Sequence, residues 1–274
     1  MPRILVTNDD GIHAPGLEAL AAAMTHFGEV DIAAPATNQS ASGHKKTLFS
    51  SIPIQETRLA NGMSALAVTG SPDDCIAVSA MGLRPFPPDL IVSGINRGEN
   101  MSQDITYSGT VTAALEGAIH AVPSVAFSLA MRNADKIEDY DEAVRIAKIV
   151  VAKVLERQLP PLTILNVNIP SGKAKGIRVT RQGVRLYLDA LERLEDAVRI
   201  VGEPPAGNVD ELGTDLWAIH RGYASITDSP RPNRPSLSGR VKQLGLVKSN
   251  LCLKQVISAA KCLNCWLRLS LSIF

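Results

Sequence analysis

From Arg3 to Ile169 the chain alternates short apolar runs with helix-forming stretches, and that rhythm leaves few folds open. Ile4-Leu5-Val6 reads as a buried strand. Pro15-Gly16 then opens a helix through Leu17–Met24, which Gly28 can end, and Val30–Ala34 reads as the next strand, stopped by Pro35. Asp89–Ser93, Pro123–Leu129 and Leu162–Ile169 repeat the strand pattern, while Ser108–His120 and Tyr140–Arg157 fill the gaps with helices. Strands separated by helices of about a dozen residues predict βαβ units with right-handed crossovers. The expected class is α/β, a mainly parallel sheet flanked by helices.

Other segments are predicted from local chemistry. Thr47–Ile54 and Met63–Val68 have strand character, with a turn-prone Ala60-Asn61-Gly62 between them. Ser71-Pro72-Asp73-Asp74 is a helix start: a capping serine, a proline suited to the first helical position, and two acids at the positive helix end. Asp73 and Asp74 are therefore expected to be structural. Beyond Pro170 the alternation weakens. Ile177–Thr180 and Ala218–Thr227 look like strands without intervening helices, so a smaller β-rich C-terminal extension is expected. The predicted organisation is a core over residues 1–170, a β-rich extension and oligomerisation region over 171–228, and a tail over 229–274.

The tail is marked by composition. Residues 229–274 hold no Asp or Glu but eight Lys and Arg, whereas residues 1–228 hold 20 basic and 27 acidic residues, a balance of −7. Cys252, Cys262 and Cys265 also lie in the tail; only Cys75 precedes them, so no disulfide framework is expected. Lys254, Lys261 and Arg268 recur every seven residues, as in a basic amphipathic segment. Charges interrupt every run that approaches the roughly 20 residues of a membrane span, and neither a membrane nor a nucleic acid is an expected partner. With no signal-like segment at the N-terminus, the cytoplasm is the expected compartment.

Four places share one feature, polar residues just beyond a buried strand: Asn8-Asp9-Asp10, Asn38-Gln39-Ser40, Ser93-Gly94-Ile95-Asn96 and the helix start Ser108-Gly109-Thr110. Each has a plain alternative as a turn, a polar loop or an N-cap. In a parallel sheet, however, such strand ends lie along one edge, where ligands collect. Adjacent carboxylates at Asp9 and Asp10 are electrostatically costly without a cation. Ser40 and Asn96 add neutral oxygens, a set suited to Mg²⁺ or Mn²⁺. Gly109 permits close backbone approach, and the free amides of the first helical turn favour an anion. A cation beside an anion site fits a phosphoryl group. Asp9 or Asp10 would orient or deprotonate the attacking water, and Asn8, Ser108, Gly109 and Thr110 are the candidate phosphate contacts. No serine–histidine–acid triad, Asp-x-Asp pattern or glycine-rich dinucleotide fingerprint stands out.

These motifs carry a resemblance. Ile-Leu-Val-Thr-Asn-Asp-Asp-Gly at 4–11, Ala-Pro-Ala-Thr-Asn-Gln-Ser at 34–40, Val-Ser-Gly-Ile-Asn-Arg-Gly at 92–98 and Tyr-Ser-Gly-Thr-Val at 107–111 resemble the SurE family of stationary-phase survival proteins. Gly222–Thr227 is similar to the family's late strand, so the resemblance spans about residues 1 to 227. It implies a Rossmann-like core and one divalent cation per subunit, Mg²⁺ or Mn²⁺, held by Asp9, Asp10, Ser40 and Asn96. It further implies hydrolysis of nucleoside 5′- and 3′-monophosphates, some exopolyphosphatase activity, and assembly as a homodimer or homotetramer. The tail after Asp228 departs from the family pattern, leaving a lineage-specific extension and a shifted reading frame as its two leading readings, beside the basic amphipathic segment. A non-catalytic Mg²⁺- or nucleotide-binding regulatory domain is the competing function. It would need a further acceptor aspartate and a lysine, where this chain has Asn96-Arg97 at the strand end.

Overall fold

Strands that are continuous in apolar residues must be buried on both faces, and the structure puts them at the centre of one sheet. The computed structural model describes residues 1–157, 159–202 and 206–228; the atypical tail, 229–274, lies outside them. Strands β1 (Arg3–Thr7), β2 (Glu29–Pro35), β3 (Ile54–Arg58), β4 (Ser64–Val68), β5 (Leu90–Arg97), β6 (Ser124–Ala130) and β7 (Ile164–Pro170) are joined in the sheet by β8 (Ile177–Thr180). Four short strands follow, β9 (Arg185–Leu186), β10 (Asp189–Arg193), β11 (Val198–Gly202) and β12 (Ala206–Gly207), before β13 (Ala224–Asp228). The sheet runs β3-β4-β2-β1-β5-β6-β7-β13-β8. From β4 to β7 every neighbour is parallel; β3 and β13 run antiparallel to their neighbours β4 and β7.

Helices cover both faces. On one side α1 (Pro15–Met24) packs beside α4 (Asp141–Arg157), which buries Ala143, Ile146, Ala147, Val150, Val151 and Val154, the spacing of a single helical stripe. On the other, α2 (Pro72–Val78) packs against α3 (Gly109–Ile119). Because β1 leads to β2 on one side while β5 neighbours it on the other, the order reverses at β1 and β5. A crevice opens outside their carboxyl ends, where such folds bind ligands.

Three local expectations are met. Ser71 and Asp74 form a reciprocal capping box with Pro72 in the first turn. The Ala60-Asn61-Gly62 turn joins β3 to β4, with Gly62 at φ +86°. Ser108 caps α3, its hydroxyl accepting from the Val111 amide.

Two expectations are corrected. Thr47–Ile54 is not a strand: β3 begins only at Ile54. The Lys45 and Thr47 amides donate instead to the carboxylates of Asp73 and Asp74, which removes them from any ladder. Ala218 is not in a strand either. It lies in a short helix, α5 (Asp215–His220), capped by the Thr214 hydroxyl, and β13 starts at Ala224. Past Pro170, β13 and β8 extend the main sheet, whereas β10 and β11 form a separate two-stranded ribbon.

Candidate functional site

The loop after β1 is shaped by Asn8 and Gly11. The Asn8 carboxamide donates to the Gly11 carbonyl at 3.0 Å and accepts from the Gly11 amide at 3.3 Å. Gly11 sits at φ +105°, which side chains beyond glycine rarely adopt. This small turn fixes Asp9 and Asp10 at the crevice. Asn8 is fully buried, so its carboxamide acts within the loop.

Hydrogen bonds gather the other three segments around the acidic pair. The Gln39 amide donates to the Asp9 carbonyl at 2.7 Å, drawing in the loop that carries Ser40. The Arg97 amide donates to Asp10 Oδ2 at 3.0 Å, anchoring the end of β5 beside Asn96. The Thr110 hydroxyl, fully buried, donates to Asp9 Oδ1 at 2.5 Å. A Cβ on Gly109 would lie 2.8 Å from Asp9 Cβ and 3.1 Å from its Oδ2, so only glycine permits this approach. All four strand-end segments thus converge on the β1–β5 crevice.

The electrostatics are those of an uncompensated acidic centre. Burial pushes the Asp9 carboxyl up to about 6 against the pull of Thr110, and the neighbouring Asp10 charge raises it further. Asp10 is also raised by burial, with the Arg97 amide and charge opposing. The Arg97 guanidinium pairs instead with Asp135 at 2.6 Å.

The donor chemistry fits a hard divalent cation. Asn96 donates its amide to the Gly98 carbonyl at 2.8 Å, which leaves its Oδ1 open. Ser40 is exposed, and its hydroxyl makes no hydrogen bond among the described residues. No cluster of three or more His, Cys, Asp or Glu side chains suited to a metal ion occurs among the described residues. A cation here would therefore rest on two carboxylates and neutral oxygens, a set that suits Mg²⁺ or Mn²⁺ better than zinc.

Beside Asp10 lies a cleft of about 420 Å³, lined among others by Ile12, His13, Thr37, Asn38 and Tyr140. Sequence reasoning missed this cleft, because its walls come from four separate stretches: the loop after β1, the loop after β2, the end of β5 and the segment before α4. It also missed Glu116, a nearly buried acid in the apolar helix α3. A lone charge among residues such as Val111, Ala113, Ala114 and Ala118 was the available signal.

Fold and site together define a doubly wound α/β protein with an acidic centre and a helix N-terminus at its topological switch point. The family described as Survival protein SurE matches residues 4–189. The chain is 45% identical over 231 residues to the 5′-nucleotidase SurE 1 of Thermus thermophilus, covering 82% of this chain and 90% of that protein. It is 44% identical over 228 residues to the 5′-nucleotidase SurE of Syntrophotalea carbinolica, covering 82% and 89%. The crystal structure of the SurE protein from Aquifex aeolicus superimposes with a TM-score of 0.72 at 37% identity, covering 89% of this chain and all of that one. The chain belongs to the SurE family.

Proposed function

We propose that the protein is a metal-dependent phosphomonoesterase that releases phosphate from nucleoside 5′- and 3′-monophosphates, with exopolyphosphatase activity as a secondary reaction. The observation that carries this reading is the buried Asp9, with the half-buried Asp10 beside it at the crevice, set against the first turn of α3. The names of the nucleotidase relatives support the substrate class.

Asp9, Asp10, Ser40 and Asn96 would hold one Mg²⁺ or Mn²⁺ per subunit. When bound, the cation supplies Lewis-acid polarisation of the phosphoryl group and acidifies the attacking water. The chain's own residues do the rest. Asp9 or Asp10 orients the water and accepts its proton. The Gly109 amide and the Ser108 hydroxyl hydrogen contact the phosphate oxygens, in the field of the helix N-terminus. Asn8 and Thr110, also expected as phosphate contacts, are fully buried with their side chains bonded to Gly11 and Asp9, so in this reading they stand behind the phosphate and hold the acidic loop in register. The cleft beside Asp10 has room for the nucleoside.

Assembly as a homodimer or homotetramer in the cytoplasm completes the reading. The β10–β11 ribbon supports it, since Leu191, Val198 and Ile200 are exposed there. No helix among the described residues is long and apolar enough to cross a membrane.

The test is phosphate release from a panel of nucleoside monophosphates and polyphosphate with Mg²⁺, Mn²⁺ or EDTA. Folded protein that releases no phosphate from any nucleotide with either metal would sink the proposal. Sedimentation equilibrium giving the mass of one chain would remove the oligomer.

A further inference from the structure

The loop that carries Ser40 lacks the usual means of being held in place. No residue from Ala41 to Ser50 is buried, and Leu48 and Phe49 both point to solvent. A segment with no apolar anchor keeps its position through polar contacts alone, and such segments open locally at low free-energy cost.

Those contacts converge on α2 and α3. The Gly43 amide donates to the Tyr107 carbonyl at 3.1 Å, and the Thr112 hydroxyl donates to the Gly43 carbonyl at 3.2 Å. The Lys45 and Thr47 amides donate to Asp73 and Asp74 at 3.1 and 2.7 Å. The strongest convergence is on Glu116, 3% exposed and two turns into the helix that begins at the candidate phosphate site. Lys46 Nζ reaches its Oε1 at 2.5 Å, and His44 Nε2 reaches its Oε2 at 3.1 Å. His120, at the C-cap of the same helix, reaches Oε1 at 3.3 Å. His44 Nε2 also lies 3.6 Å from Asp73 Oδ1, a buried oxygen with no hydrogen-bond partner.

We propose that Glu116, gripped by His44 and Lys46, is a positioning clamp that holds the Ser40 loop against α3 and so presents Ser40 to the cation. Glu116 does not touch substrate or metal in this scheme. It acts by tying one ligand-bearing loop to the helix whose N-terminus faces the phosphate. Without the two loop cations, a nearly buried carboxylate would keep only His120 as a partner, so docking the loop and satisfying Glu116 are one event. The clamp is also sensitive to protons. Its Glu116 hydrogen bond raises the pKa of His44, with Asp73 adding to the rise and burial and Lys46 opposing it. The grip is complete while His44 is protonated and loosens as pH rises through its elevated pKa.

The consequence at Ser40 rests on the nucleotidase reading, but the clamp can be measured without metal or substrate. Hydrogen exchange on the metal-free protein reads the Gly43, Lys45 and Thr47 amides directly. Glu116→Gln and His44→Ala should lower their protection factors about tenfold, leaving β1 and β5 amides unchanged. Mn²⁺ binding by calorimetry should weaken about tenfold in the same variants. His44→Gln, which keeps a neutral donor, should retain most of the protection and lose its alkaline decline. Protection factors within twofold of the parent in His44→Ala would overturn the clamp, and that surface variant decides the matter if Glu116→Gln fails to fold. A loosened loop with unchanged Mn²⁺ affinity would overturn the positioning role. If the parent protein binds no Mn²⁺, the nucleotidase reading falls, and with it Ser40's role, while the exchange result still decides whether Glu116 holds the loop.

Discussion

Replacing Asp9 by asparagine should make the metal-free protein more stable while destroying its activity. Burial raises the Asp9 carboxyl from 3.8 to about 6 in the folded state. A carboxyl with a raised folded-state pKa favours folding below its unfolded value. That contribution is lost as pH rises from about 4 through about 6. Above pH 7 the ionised side chain costs about 3 kcal/mol, from roughly two pKa units at 1.36 kcal/mol each. Asparagine keeps the oxygen that accepts from Thr110 and removes the charge. In EDTA at pH 7.5, Asp9→Asn should therefore gain about 2–3 kcal/mol in urea unfolding and roughly 4–10 °C in Tm. Near pH 4 the difference should vanish. Saturation with Mn²⁺ at about a hundred times its Kd should stabilise the parent by about 2.7 kcal/mol and the variant hardly at all, closing the gap. Phosphate release should fall by at least about a hundredfold, the cost of losing a charged ligand or base. A variant equal to or less stable than the parent in EDTA at pH 7.5 would refute the argument that burial leaves the Asp9 carboxylate at a cost that a cation would offset.

Three further outcomes test neighbouring parts of the structure. Gly109→Ala places a Cβ 2.8 Å from Asp9 Cβ and 3.0 Å from Pro72 Cγ, so it should cost about 1–3 kcal/mol in denaturant unfolding and depress kcat. Arg185→Ala removes a nearly buried guanidinium from Glu99 at 2.6 Å and Asp104 at 2.5 Å. Asp104 would keep only the Tyr187 hydroxyl and Glu99 only Arg132 at 3.9 Å, so the loss should cost about 2–3 kcal/mol, read from the urea midpoint. Thr37→Trp, which fills the cleft beside Asp10, should raise KM for nucleoside monophosphates roughly tenfold. It should leave a small aryl phosphate nearly unaffected; equal effects on both substrates would place the nucleoside elsewhere.

What could be read from the chain, and what could not, divides by the range of the interaction. Ile4, Leu5 and Val6 announce a doubly buried strand because a parallel strand needs apolar residues on both faces, a requirement that is entirely local. The Ser71-Pro72-Asp73-Asp74 cap is local too, since its hydrogen bonds close within three residues. Thr47–Ile54 misleads because its composition suits a strand, while the Thr47 amide is claimed by Asp74, 27 residues away. Helix α5 is six residues long, too short for periodicity, though Thr214 capping Trp217 was there to be seen. The site follows the same division. Asp9, Asp10, Ser40 and Asn96 sit where three strands end, β1, β2 and β5, and the parallel order of the sheet brings those ends together. Glu116 and Arg185 have partners 70 to 86 residues distant, and no local pattern marks those pairings. These distant contacts tie down the loops on either side of the acidic pair: Glu116 the segment after Ser40, and Arg185 the segment between Asn96 and Ser108. Motif residues alone therefore specify which atoms could meet a cation and a phosphate. Whether they meet in one geometry depends on charged side chains outside every motif, and substitutions there should change affinity for metal and substrate without touching either.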